Sequence, residues 1–385
     1  MEQRLKRLIE GNSEAERTKW AIESKNRGQK VIGVISSYVP EEVISAAGML
    51  PWRITGRWTA DISHARAYRS ENSCGYCNHI LESFLTGELD FLDGIAITDL
   101  DQDLVRLWDV LVYLKVKPFC HIMHIPFVDS KLSRQFLKEE IARLIKAVEE
   151  FGGVKITGES LRLSIETYNQ WRRLLGKIYD LRKRQIPPLS GAETLGITTT
   201  STVMPKECFN QELETLLPYL EGREANLKEA RPRLLIESDM LDHPAYLSLV
   251  EEEGCLIAMD DMDTGTRLFI QEVDTSLPDL TYALAERYLS HHGVARMASW
   301  DKQVEQLIRW VSEFSIDGIL ALPLAWCYPQ RYRIPFLAKK LEQAGILFMS
   351  IEREYHLANI AQIKTRVGAF LEVIRSRLDN KPGAR

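Results

Sequence analysis

Six cysteines, at positions 74, 77, 120, 208, 255 and 327, are the residues of this chain best suited by type to difficult chemistry. A thiolate is a soft, charged donor for iron–sulfur clusters and zinc, and it is also the nucleophile of redox exchange. Cys74 and Cys77 form an isolated Cys-x-x-Cys pair, and the other four stand alone. The dense cysteine run of a ferredoxin is absent. Spacing therefore leaves metal or redox use open, beside the plain alternative that these are small buried hydrophobes. Cys208 and Cys255 are expected in the core. An even count of cysteines permits disulfides only in an oxidising compartment. The N-terminal stretch MEQRLKRLIEGNSEAERTKW reads as a charged amphipathic helix and not as an apolar export segment, so the cytoplasm is expected.

The elements that would position these residues come in three blocks after an N-terminal helix over residues 1–28. In the first block (29–129), VIGVISSYVP is a β-branched strand that stops at Pro40. Pro40, Glu41 and Glu42 then open a helix that Gly48 ends. FLDGIAITD is a second strand, DLVRLWDVLVYLK a helix, and KPFCHIMHIP a third strand. Residues 130–230 carry apolar residues at three- and four-residue steps, which is helical periodicity, broken at IPPLSGAETLG (186–196) by two prolines and two glycines. From Arg231 to Arg385 strands and helices alternate again through RLLIESD, CLIAMDD, DGILALPLAWC and ILFMSIERE. Short apolar strands alternating with helices indicate parallel sheets. The expected fold is α/β, with two doubly wound parallel-sheet domains of flavodoxin- or Rossmann-like type flanking a helical segment.

Ligands of such sheets bind beyond the carboxyl ends of the strands. That rule selects Ser36, Ser37 and Tyr38 after the first strand and Asp99 and Asp101 after the second. In the last block it selects Glu237, Ser238, Asp260, Asp261 and Cys327. Cys74 opens a helix, where the positive end of the dipole favours a thiolate. The two α/β blocks can thus present Cys74 and Cys327 to one cleft between them. Ser190 and Glu193 have two readings: a capping box, or a glutamate serving as general acid or base from a breaker-rich loop. Glu42 is equally a first-turn residue. His121 and His124 lie close together on a strand, where packed core histidines are the ordinary case. His291 and His292 are expected in a solvated turn, and Arg182-Lys183-Arg184 at an exposed helix end.

Composition narrows the partners. With 54 acidic and 49 basic residues and a net charge of −5, no basic block supports a nucleic-acid partner. No apolar run approaches the ~18 residues a membrane span needs. At 385 residues the chain exceeds the size of a single growing core, which fits several domains.

The segment VIGVISSYVPEEVISAAGMLPWRITG resembles the entry segment of subunits of the 2-hydroxyacyl-CoA dehydratase / benzoyl-CoA reductase family, with its Tyr-x-Pro-x-Glu turn and a helix ending Ala-Ala-Gly. The resemblance continues in order through Cys74, GELDFLDGI, RLWD, LSGAE, RPRLL, DDMDTGTRLF, WCYP and the tail IEREYHLANIAQIKTRVGAFLE. It implies a heterodimer with a homologous second subunit, an acyl-CoA substrate and a [4Fe–4S] cluster held by three cysteines. It also implies an ATP-dependent iron–sulfur activator that injects one low-potential electron. In the dehydratases that electron makes a ketyl of the thioester; in the reductases it dearomatises benzoyl-CoA. Ser37, Tyr38 and Glu193 become the candidate catalytic residues, facing the substrate.

By the same resemblance Cys74 matches the first family cysteine and Cys327 the third. The second falls at Asp101, where this chain has no cysteine. Asp101 as a carboxylate ligand, Cys77 or Cys120 as a displaced thiolate, and loss of the cluster are all open. With the cluster, the chain is an enzyme subunit. Without it, the chain is a structural partner in a heterodimer; a third reading is an electron-transfer protein that does not bind CoA.

Overall fold

The computed structural model describes residues 1–223, 231–290 and 293–380; His291 and His292 lie outside the described residues. The N-terminal segment forms two helices, α1 (Glu2–Glu10) and α2 (Arg17–Asn26), where one was expected. The first sheet follows as β1 (Val31–Ile35), α3 (Glu41–Ala46), β2 (Leu50–Arg53), α4 (Gly75–Leu85), β3 (Gly94–Thr98), α5 (Gln102–Tyr113) and β4 (Phe119–Met123). A helical stretch comes next: α6 (Lys131–Gly152), α7 (Gly158–Leu181), α8 (Gly191–Thr200) and α9 (Lys206–Gly222). The second sheet is built from β5 (Arg233–Glu237), α10 (Ala245–Glu251), β6 (Leu256–Asp261), α11 (Leu280–Ser290) and α12 (Trp300–Glu313). It is completed by β7 (Gly318–Ala321), α13 (Tyr328–Gln343), β8 (Phe348–Ser350) and α14 (Ile360–Asp379).

Both sheets are four-stranded and parallel, as the alternation of strands and helices requires, and both have the same order: β2-β1-β3-β4 in the first, β6-β5-β7-β8 in the second. Each begins in the middle, steps to one edge, and returns to the other side. β1, β3, β5 and β7 are fully buried, as expected of central parallel strands that are mostly apolar. Strand β2 contains Pro51 and sits at an edge, where the missing N–H costs no ladder bond.

The two halves share one core at their junction. Leu324, Cys327 and Tyr355 from the second half belong to the apolar cluster that fills the first sheet. Polar contacts reinforce the seam: the Tyr355 hydroxyl donates to Asp242 at 2.6 Å and accepts the Gly56 N–H at 2.9 Å. No helix among the described residues is long and apolar enough to cross a membrane.

Candidate functional site

Three helices begin at one cavity. Cys74 is the N-cap of α4, Asp101 of α5 and Cys327 of α13, and all three line a cavity of about 90 Å³ together with Cys77. Helix N-termini carry unsatisfied N–H groups and the positive end of the dipole, so each cap is a favourable place for an anionic donor. Each cap follows from its local sequence. Asp101 accepts the Asp103 N–H at 2.7 Å through one carboxylate oxygen. Its other oxygen has no partner among the described residues. Pro329, near the start of α13, suits a first helical turn.

Neighbouring residues lock the caps in place. Arg69 donates to Asp103 at 2.6 Å and to Asn78 of α4 at 2.9 Å, tying the starts of α4 and α5 together. Strand β7 ends at Ala321, earlier than expected, because Pro323 supplies no N–H to the ladder. The chain then reaches Cys327 through Trp326, which is held at φ +63°. Ser36, on the cavity wall after β1, has φ +96°. Left-handed backbone at non-glycine residues costs on the order of 1–3 kcal/mol and gathers at functional sites. The Gln330 side chain accepts the Leu324 N–H at 2.9 Å and Arg331 stacks 5.5 Å from the Trp326 ring, holding this turn.

The cavity wall is otherwise apolar, with Leu100, Leu104, Met240 and Leu324, and it adds two carboxylates that the sequence did not single out, Asp239 and Asp263. Asp239 is gripped by two buried arginines, Arg267 and Arg333, and accepts the Ala295 N–H at 3.2 Å. Asp263 accepts a hydrogen bond from the Ser37 hydroxyl and lies 4.0 Å from Arg53. Burial raises the Asp263 carboxyl above its ordinary range. Burial likewise pushes Asp101 up to about 6. Burial and the neighbouring Cys74, Asp101 and Asp239 push the Cys327 thiol well up. A hydrogen bond to Cys74, then burial, does the same to Cys77. Potential anions are crowded here, and a bound cation relieves that crowding.

Cys74, Cys77, Cys327 and Asp101 are donors of the types that iron–sulfur clusters and metal ions take. Among the described residues, no group of three or more His, Cys, Asp or Glu side chains could hold a metal ion. A cluster presents a different iron to each ligand, so its donors stand farther apart than those of one ion. Two cysteine thiols at helix starts, a third thiol beside one of them and a carboxylate at a third helix start, around one largely apolar cavity, are compatible with it.

The other sequence candidates lie elsewhere. Cys120 pairs in register with Ile95, toward the start of its strand, and donates to the Lys117 carbonyl at 3.5 Å; it is not among the cavity residues. Ser37 touches the cavity only through Asp263. Tyr38 is 2% exposed, packs 6.4 Å from the Tyr288 ring, and its phenol is held well above its usual range by burial and Asp263. Glu193 forms a capping box with Ser190 at the start of α8 and lines a separate crevice with Pro187 and Glu251. Glu42 is an ion-pair residue, bound to Arg172 and accepting the Tyr288 hydroxyl at 2.8 Å. Glu237, Asp260 and Asp261 are consumed by buried partners including Arg333, Tyr179 and Arg267. Arg182 is a correction: it is 1% exposed, bound to Asp260 and stacked on Tyr179, because the end of α7 is packed against β6 and not in solvent.

Beside the inner cavity is an outer crevice of about 480 Å³ that shares Asp101, Ala295, Arg296 and Pro329 with it and adds Trp300, Tyr328 and Tyr332. It is the wider of the two spaces and the natural approach to the inner one.

Comparison with known proteins shows similarity along most of the chain to dehydratase and reductase subunits. The chain is 26% identical to the beta subunit of (R)-phenyllactyl-CoA dehydratase from Clostridium sporogenes, over 90% of this chain and 92% of that one. It is 26% identical to a benzoyl-CoA reductase subunit of Thauera aromatica, over 90% and 91%. It is 24% identical to the beta subunit of (R)-2-hydroxyglutaryl-CoA dehydratase of Acidaminococcus fermentans, over 90% and 93%. Residues 36–374 match the family described as 2-hydroxyglutaryl-CoA dehydratase, D-component, and the chain belongs to that family, an enzyme component of the 2-hydroxyacyl-CoA dehydratase type.

Proposed function

We propose that this chain is the cluster-bearing subunit of an ATP-activated, radical-type 2-hydroxyacyl-CoA dehydratase or benzoyl-CoA-type reductase, with a [4Fe–4S] cluster in the cavity between the two sheets. The observation that carries the reading is the meeting of Cys74, Asp101 and Cys327, three helix N-caps from both halves of the chain, at one apolar cavity. Cys74 and Cys327 are the two thiolate ligands, and Asp101 and Cys77 border the same space. When bound, the cluster supplies a low-potential electron to the thioester carbonyl. The chain does the rest. The helix starts stabilise the anionic ligands. Leu100, Leu104 and Leu324 exclude water from the charge that develops. Ser37 holds Asp263 at the cavity wall, where that carboxyl is placed to exchange a proton with substrate. The outer crevice admits the acyl-CoA.

The partners on this reading are a homologous second subunit and an ATP-hydrolysing iron–sulfur activator. The six unpaired cysteines fit a reducing compartment, the cytoplasm. The test is iron and sulfide analysis with EPR on anaerobically purified, reconstituted chain. Brown protein with a dithionite-reducible EPR signal, lost in Cys74→Ala and in Cys327→Ala, is expected. Colourless, iron-free protein overturns the reading in favour of a structural partner subunit.

A further inference from the structure

We infer that Asp101 is the third protein ligand of the cluster, and that Cys77 is a neighbouring thiol that hydrogen-bonds a ligand without binding iron. The inference rests on the reading above that a cluster occupies the cavity, and adds which side chains of this chain hold it.

The argument is topological first. The two sheets have one strand order, so β1 corresponds to β5, β2 to β6, β3 to β7 and β4 to β8. The helix after the third strand is α5 in the first half and α13 in the second. The N-cap of α5 is Asp101, and the N-cap of α13 is Cys327. The two residues therefore hold the same station in the two halves, and both line the cavity. Position 101 is a place from which a side chain reaches the cluster, whatever its donor atom.

Chemistry comes second. Asp101 spends one oxygen on the Asp103 N–H and leaves the other free. Cap and ligand are thus served by one carboxylate. The Arg69 clamp on Asp103 and Asn78 sets that carboxylate relative to Cys74. Cys77, by contrast, lies one turn inside α4, 1% exposed, and borders the cavity beside Cys74. Hydrogen bonds to the sulfurs of a cluster help set its reduction potential.

The test compares iron and sulfide content and EPR spectra of anaerobic, reconstituted wild type, Asp101→Ala, Asp101→Cys, Cys77→Ala and Cys77→Ser. Far-UV circular dichroism and thermal melting confirm that each variant is folded. Cys77→Ala and Cys77→Ser are expected to keep the iron of wild type with a shifted midpoint potential. Asp101→Ala is expected to lose at least about half of it, and Asp101→Cys to retain it with an altered EPR signal, as a change of ligand requires. Full iron in folded Asp101→Ala overturns the inference, as does loss of iron in both folded Cys77 variants. Iron-free wild type is a different failure, because it removes the cluster itself.

Discussion

The His79 ring is 3% exposed, its Nδ1 has no hydrogen-bond partner among the described residues, and the rings of Tyr355 and His356 lie 5.0 and 5.8 Å away. Burial, then His356, hold its pKa down to about 4. The unfolded chain takes up a proton here near 6.5 and the folded chain near 4. The native state binds fewer protons in that window, so its stability is full above about pH 6.5 and is lost as pH falls toward 4. Chemical denaturation at pH 7 and pH 5 should show a loss of stability in wild type that is smaller in His79→Gln by on the order of 2 kcal/mol. A second residue-scale expectation concerns Glu42, fully buried with Arg172. Glu42→Ala leaves that guanidinium charged and unpaired, which costs about 3–5 kcal/mol in a urea unfolding measurement. The sequence made Glu42 a first-turn residue and could not disclose Arg172, because the partner is 130 positions away. Asp101 and Cys327 were legible because each stands where a strand passes into a helix, and Cys74 because it opens a helix. Asp239 and Asp263 were not: they lie beyond strand-end acids of the same type, and only packing decides which carboxylates face the cavity.

At the scale of elements, α8 shows how a helix start can pass for a loop. Ser190 accepts the Glu193 N–H at 3.0 Å while Glu193 accepts the Ser190 N–H at 2.8 Å, a complete capping box directly after a Pro-Pro break. Ser190→Ala should lower stability by about 1 kcal/mol in denaturant titration and leave the iron content of reconstituted protein unchanged. Equal iron loss in that variant would argue that α8 communicates with the cavity. The alternation of strands and helices gave the two parallel sheets correctly because the buried central strands are short, mostly apolar runs. Strand β2 escaped because Pro51 is a poor strand residue in isolation, and edge position is a property of the sheet, not of the segment. Helix α11 escaped too, following a polar, turn-rich stretch without a strong apolar stripe.

For the whole molecule, the proposed ligands come from both halves, so loading the site should stabilise the junction as well as each sheet. A ligand that binds only the folded state raises stability by mass action. Anaerobic reconstitution is expected to raise the thermal unfolding temperature by at least about 3 °C. Cys327→Ala should abolish that rise while leaving the melting of unloaded protein within about 2 °C of wild type. A rise that survives in Cys327→Ala would place the binding energy in the first half alone.

Asp101 and Cys327 are 226 positions apart in the chain, with the whole helical stretch and three strands of the second sheet between them. Synthesis proceeds at roughly 5–20 residues per second, so Cys327 emerges roughly ten to fifty seconds after Asp101. During that interval Cys74 and Cys77 are exposed on a nascent chain with no second wall to cover them. The pocket comes into being only when nearly all of the polypeptide has left the ribosome. On the proposed function, cofactor insertion is a late event of biogenesis, and the rate at which the second half closes over the first sets how long the thiols face cellular oxidants unprotected.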